Sequence, residues 1–252
     1  MVDPKERFSE RVEDYVRFRP GYPRELLDLL GSACGLGPGS VIADVGSGTG
    51  ILSRLLLQSG ARVVGVEPNS AMRAAAEHAL CGDIRFVSVD GSAEATGLAG
   101  ASVDCVTAGQ AFHWFDPLRT RVEFARILKP GGCVALAWNQ RRDSPLNRDY
   151  EAMLERFAPE YAHVRESDRA AEPKIRAFFS PFSPSVARYG SAQRFDEAGL
   201  RGRLMSSSYA PRPGHPLHEP MIDRLTEIFG IHARDGAVTF LYETVVWYGR
   251  LT

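Results

Sequence analysis

The segment VIADVGSGTG, residues 41–50, constrains this chain more than any other stretch. A short β-branched run delivers Asp44, and Gly46, Gly48 and Gly50 then lead into a pattern that reads as a helix from Ile51. Glycine tolerates positive φ and lets a ligand approach the backbone because no Cβ intervenes. A helix starting at such a turn presents unpaired N–H groups to a polar or anionic ligand. The segment predicts a strand, a ligand-cradling turn and a helix, the opening unit of an α/β fold that binds at the carboxyl ends of its strands.

The rest of the first half repeats that unit. Apolar patterning predicts strands at 41–45, 62–67, 84–89, 103–108 and 133–138. Helices are predicted between them at 51–59, at 70–80 with Asn69 or Ser70 as cap, and at 118–128. Strands alternating with helices at this spacing give a mainly parallel sheet covered on both faces. Upstream, helices are expected at 6–18 and 24–34, separated by the helix-breaking Arg19-Pro20-Gly21-Tyr22-Pro23. After Asn139 the rhythm changes, with a helix at 147–161, a strand at 186–195, helices at 196–206 and 220–233, and a strand at 237–248. The whole length, 1–252, reads as one domain: an N-terminal helical lid at 1–35, a cofactor-binding core at 36–140, and covering helices with terminal strands at 141–252.

Charge narrows the partners. Lys plus Arg number 30 against 31 Asp plus Glu, so nothing in the balance calls for nucleic acid or an anionic membrane. The N-terminus, MVDPKERFSERVEDY, is charged and not a secretory signal, and no apolar run reaches membrane-helix length, so a cytoplasmic protein without membrane partners is expected. Cys34, Cys81, Cys105 and Cys133 are scattered without a paired motif and read as small packing residues; no metal site is expected. His215 and His218, in a Pro-rich turn, read as surface residues.

The glycine spacing separates two ligand classes. Dinucleotide-binding turns favour G-x-G-x-x-G, whereas this one runs G-x-G-x-G with Asp44 two residues ahead of it. A carboxylate there repels pyrophosphate and suits the ammonium of an amino-acid-bearing ligand. VIADVGSGTG resembles the first motif of class I S-adenosylmethionine-dependent methyltransferases, in which this loop wraps the methionine part of the cofactor. Glu67 in VVGVEP is similar to that family's ribose-binding acid, and Asp90-Gly91-Ser92-Ala93-Glu94 resembles its adenine-edge motif. Gln110-Ala111-Phe112-His113-Trp114 follows the fourth strand, and Arg126 to Trp138 resembles the family's turn into strand five. QAFHWFD, with RPGYP before it and WNQRRD after it, looks like the small-molecule branch that includes trans-aconitate methyltransferase-like proteins.

The resemblance implies a Rossmann-like fold with a seven-stranded, mostly parallel sheet flanked by helices, an antiparallel last strand and helical covering segments. It implies S-adenosyl-L-methionine as cofactor, held by Asp44, Gly46, Ser47, Gly48, Glu67, Pro68, Asp90, Gly91, Ser92, Ala93 and Gln110. Tyr15 and Arg19 join that set from the N-terminal segment, which in similar proteins folds over the cofactor. The implied activity is methyl transfer by in-line displacement to an oxygen, nitrogen or carboxylate of a small molecule, by a monomer or homodimer. Such a reaction needs alignment and water exclusion more than a protein nucleophile. His113 is the candidate base where the acceptor must lose a proton. Trp114 and Phe115 read as pocket wall or core. Two other readings stay open: an NAD-dependent oxidoreductase, because Glu67 suits a nicotinamide ribose equally, and a non-catalytic S-adenosylmethionine-binding protein.

Overall fold

The computed structural model describes residues 16–251, with the side chains of all but 164 and 167–170. The predicted helix at 6–18 and Tyr15 therefore lie largely outside the described residues. The elements run α1 (Glu25–Cys34), β1 (Val41–Val45), α2 (Ile51–Leu57), β2 (Arg62–Val66), α3 (Ser70–Leu80), β3 (Phe86–Val89), β4 (Val103–Gly109), α4 (Pro117–Ile127) and β5 (Leu128–Arg141). They continue with α5 (Pro145–Phe157), α6 (Tyr161–Phe179), β6 (Ser185–Phe195), α7 (Glu197–Met205), α8 (His218–His232) and β7 (Val238–Gly249).

The strands form one seven-stranded sheet in the order β3-β2-β1-β4-β5-β7-β6. Pairing is parallel from β3 through β5, and β7 runs antiparallel to both β5 and β6. The sequence order reverses between β1 and β4, and such a switch point opens a crevice at the carboxyl ends of the strands.

Packing follows from the strand composition. Central strands buried on both faces read as continuous apolar runs, and β1 is buried from Ile42 to Val45. One core cluster joins the sheet to α4 and α6 through Phe124, Phe178 and Phe179. On the opposite face Leu26, Leu30, Leu52 and Leu56 carry α1 and α2 onto the strands. A third cluster, built on Tyr150, Leu154, Leu200, Leu204, Met221 and Phe240, holds the covering helices together over β7.

Three expectations need correction. The single helix expected at 147–161 is two: α5 ends at Phe157, the chain breaks at Ala158-Pro159, and α6 runs on to Phe179. Proline at 159 cannot continue the hydrogen-bond ladder, so the break is local chemistry that the apolar periodicity spans unnoticed. His218 is buried, not at the surface, with Nδ1 2.8 Å from the Pro211 carbonyl. Cys34 and Cys133 form a disulfide from the end of α1 to β5, and Cys105, paired with Cys133 across β4 and β5, sits 3.2 Å from it, sulfur to sulfur. Their separation of 99 residues hides that pairing from any local motif.

Candidate functional site

The glycine turn has the backbone that its sequence requires. Gly46, Gly48 and Gly50 have φ of 68°, 55° and 81°. A Cβ at Gly46 would stand 2.5 Å from the Ala111 Cβ, so position 46 is closed to a side chain on both conformational and steric grounds. The Gly46 and Ser47 amides donate to the Val66 carbonyl at 2.8 and 3.2 Å, which ties the turn to the tip of β2.

Asp44 sits at that turn but is enclosed. It is 1 % exposed, with Oδ2 accepting from Ser53 Oγ at 2.6 Å and Oδ1 from Thr107 Oγ1 at 3.2 Å. Burial pushes its carboxyl up to about 6, against the lowering effect of those hydrogen bonds. Donors from α2 and β4, the Ser53 amide among them, hold Asp44 in place beneath the glycine turn.

Glu67 is the acid that the turn grips directly. Its Oε2 accepts from the Gly48 amide at 2.9 Å and its Oε1 from the Asn69 amide at 2.9 Å. Burial raises its carboxyl above the ordinary range, opposed by those two amides and by Arg73. A carboxylate offers about four lone-pair sites. Two are spent on the backbone, which fixes the orientation and leaves two acceptors for a vicinal diol. Asn69 also caps α3, its side chain accepting from the Met72 amide at 3.0 Å, and Pro68 lies between the two.

Arg73, a residue that motif reading passed over, links the second and third strand tips. Its Nη1 donates to the Glu67 carbonyl at 2.7 Å and its Nη2 reaches Asp90 Oδ2 at 3.3 Å. Asp90 is largely exposed, so its remaining acceptor capacity faces outward from the tip of β3. Gly91 admits no Cβ, which would lie 2.7 Å from the Thr96 carbonyl oxygen. Ser92 and Ala95 exchange backbone bonds, and Ala93 is buried beside them. The turn at residues 91–95 is therefore stiff.

Beyond β4, Gln110 holds φ of 56°, a conformation that costs a non-glycine residue and persists only where its surroundings fix it. Its amide donates to the Ala137 carbonyl at 2.9 Å and its Nε2 to the Asn139 carbonyl at 2.9 Å. His113 follows in a short 3₁₀ turn at Phe112–Trp114, its ring 5.4 Å from the Trp138 ring. Its Nδ1 is buried with no hydrogen-bond partner among the described residues. Burial, with a contribution from Lys174, lowers its pKa to about 4, so the imidazole is neutral at pH 7. Trp114 is partly exposed, while Phe112 is core.

Residues 18–22 pack across from the end of β4 to α7. The Tyr22 ring lies on the backbone of Gly109 at the end of β4, and the Phe18 ring lies on Gly202 of α7. Arg19 Nη2 donates to the Ser206 carbonyl at 3.0 Å, and Asn139 Nδ2 to the Gly21 carbonyl at 2.9 Å. The structure thus gathers Gly46, Ser47, Gly48, Glu67, Pro68, Asp90 and Gly91 along adjacent strand tips. Gln110 and His113 stand on the β4 side, while Arg19 points to the covering helices.

The sheet order and these strand-tip acids define a Rossmann-like α/β protein with its ligand crevice beside the glycine turn. Residues 43–136 match the methyltransferase domain family. The chain is 40% identical over 134 residues to an uncharacterised methyltransferase of Mycobacterium tuberculosis, covering 53% of this chain and 52% of that one. It is 33% identical over 141 residues to one of Schizosaccharomyces pombe, covering 54% of each. The chain thus spans about half the length of the curated relatives it matches. Among solved structures, a candidate type II methyltransferase from Anaeromyxobacter dehalogenans aligns with a TM-score of 0.67 at 27% identity, over 93% of this chain and 98% of that one. A methyltransferase from Geobacter sulfurreducens in complex with S-adenosyl-L-homocysteine shares the fold at a TM-score of 0.53 and 20% identity, over 99% of both. Over residues 43–136 the chain is thus similar to the methyltransferase domain family, and its fold is shared with the solved methyltransferase structures.

Proposed function

We propose that this protein binds S-adenosyl-L-methionine in the crevice along β1, β2 and β3 and transfers its methyl group, by in-line displacement, to a small-molecule acceptor. The observation that carries the reading is Glu67, clamped by the Gly48 and Asn69 amides with two lone pairs left over. That is a preorganised receptor for a ribose diol. Bound there, the cofactor supplies an electrophilic methyl carried on sulfur. The match of residues 43–136 to the methyltransferase domain family and the cofactor-product complex of the Geobacter protein support the same ligand.

In this reading Gly46, Ser47 and Gly48 line the amino-acid end with backbone, and Asp44 stiffens the floor beneath it. Asp90 accepts from the adenine amine, with Gly91, Ser92 and Ala93 forming the turn around the ring edge. Gln110 is fixed where the acceptor meets the cofactor. His113, neutral at pH 7, accepts a proton from a hydroxyl or amine acceptor; for a carboxylate acceptor no base is needed. Arg19 belongs to the segment packed over the crevice, and Tyr15 is proposed as a cofactor contact on the family resemblance alone. The lid at 1–35, the core at 36–140 and the cover at 141–252 act as one unit. The resemblance to the trans-aconitate methyltransferase-like branch favours a small acceptor over nucleic acid, for a cytoplasmic monomer or homodimer.

Calorimetry tests this. S-adenosylhomocysteine is expected to bind and NAD to fail, and Glu67→Ala is expected to weaken the product about thirtyfold or more, as loss of a two-bond charged contact does. Its far-UV circular dichroism stays that of the wild type. NAD binding in place of the product, or an unchanged affinity in the folded variant, contradicts the assignment.

A further inference from the structure

Beyond the carboxyl end of β5 the covering helices enclose two guanidinium groups with little to neutralise them. Arg203, on α7, is 4 % exposed, and its hydrogen bonds reach only neutral oxygens, Tyr242 Oη at 3.4 Å and Ser207 Oγ at 3.2 Å. Arg141, the last residue of β5, lies over the Tyr150 and Tyr161 rings and donates to Tyr161 Oη at 2.6 Å. Its Nε is 3.3 Å from Glu151, whose side chain is one-third exposed. Glu151 is the carboxylate in contact with Arg141, and Arg203 has no ion pair among the described residues. In the same cluster Tyr150 is fully buried, and its hydroxyl has no hydrogen-bond partner among the described residues.

A guanidinium cannot shed its proton, and enclosing one without a counter-charge costs several kcal/mol. The field left over is felt nearby. Burial raises the Tyr209 phenol, yet Arg141, Arg203 and Arg19 outweigh it and hold the phenol below its ordinary value. The cluster also adjoins the segment over the crevice, since Arg19 donates to the Ser206 carbonyl next to Ser207 and acts on Tyr209 together with Arg141 and Arg203. Gln193 Nε2 donates to the Arg19 carbonyl at 3.3 Å, and Asn139, which accepts from Gln110 at the β4 tip, donates to Gly21 in the same segment.

We propose that Arg203, Arg141 and the Tyr150 hydroxyl form an anion subsite that anchors a carboxylate of the methyl acceptor, a reading that rests on the methyltransferase assignment. The anchored carboxylate is a handle, separate from the atom that is methylated. It supplies the missing negative charge, takes donors from both guanidinia and satisfies the orphaned phenol. The acceptor is then a small organic acid whose reactive atom points back towards Gln110 and His113. Charge-assisted bonds of this kind are roughly twice as strong as neutral ones, which makes the subsite selective for an acid over its amide.

The test uses the full chain and calorimetric titration at constant ionic strength, with glutarate and benzoate as probes against glutaramide and benzamide. Each titration is run with and without saturating S-adenosylhomocysteine. The acids are expected to bind at least about tenfold more tightly than the amides, the scale of one charged hydrogen bond. Arg203→Met is expected to erase that preference, to leave product affinity unchanged, and to raise the melting temperature of the ligand-free protein, because an uncompensated buried charge is gone. A merely structural arginine would instead lower the melting temperature and leave the preference intact. Should Arg203→Met not fold, Tyr150→Phe reads the same subsite and is expected to weaken the acids about threefold or more. Equal binding of acids and amides, or full acid affinity in these variants, overturns the subsite. Failure of S-adenosylhomocysteine to bind overturns the cofactor reading instead, while the acid–amide comparison on the free protein still judges the cluster.

Discussion

Asp44 shows how a residue can be found by its motif and still be understood only from its surroundings. The sequence placed a carboxylate at the tip of β1; what it could not show was that Ser53, in the first turn of α2, and Thr107, on the neighbouring strand, would each donate to one of its oxygens. That enclosure has a measurable consequence. The native carboxyl titrates at about 6 against 3.8 when unfolded, so between those values the native state holds a proton that the unfolded chain lacks. Stability therefore falls as pH rises through that window, by up to ~3 kcal/mol. Asp44→Asn removes the titration. Urea melts of both proteins from pH 4 to 7 are expected to show the wild type losing stability relative to the variant as pH rises, and a constant difference would contradict the buried carboxyl. Glu67 was equally visible in VVGVEP, whereas Arg73, which joins Glu67 to Asp90, lies in an Ala-rich helix face with no motif to mark it. The same holds for Arg203: in GLRGRLM nothing local distinguishes a buried arginine from a solvated one.

Secondary-structure elements were legible where a capping residue coincides with a change in the apolar pattern. Asn69 caps α3, Asp116 caps α4 and Asp196 caps α7, and each side chain accepts from the backbone amides of the following turn. The boundary between α5 and α6 was lost because both helices are amphipathic and the break between them is short. Long-range covalent chemistry was beyond reach altogether. The Cys34–Cys133 bridge fastens α1 to the centre of the sheet. Disulfides persist in oxidising surroundings, so this bridge and the cytoplasmic expectation pull in different directions. Closing a loop of 99 residues is worth up to about 4–5 kcal/mol on the chain-entropy account. Dithiothreitol is expected to lower the melting temperature of the oxidised wild type and to leave that of Cys34→Ser unmoved. Equal melting of oxidised and reduced wild type would show that the bridge carries no load.

At the scale of the molecule, the alternation of strands and helices up to Trp138 was enough to reach a parallel sheet, because right-handed crossovers leave few alternatives. An antiparallel last strand was implied by family resemblance, but its place between β5 and β6 was not, since antiparallel insertion leaves no mark in periodicity. The crevice follows from that topology: strand tips carrying Asp44, Glu67 and Asp90 stand side by side, and residues 18–22 pack across from the end of β4 to α7. Hydrogen–deuterium exchange with and without S-adenosylhomocysteine tests that arrangement most directly, because it reads every strand tip at once. Protection is expected at residues 46–50, 67–70, 90–93 and 110–114 together, with the central strands unchanged. Protection confined to other segments, or none at a saturating concentration of the product, would contradict the account.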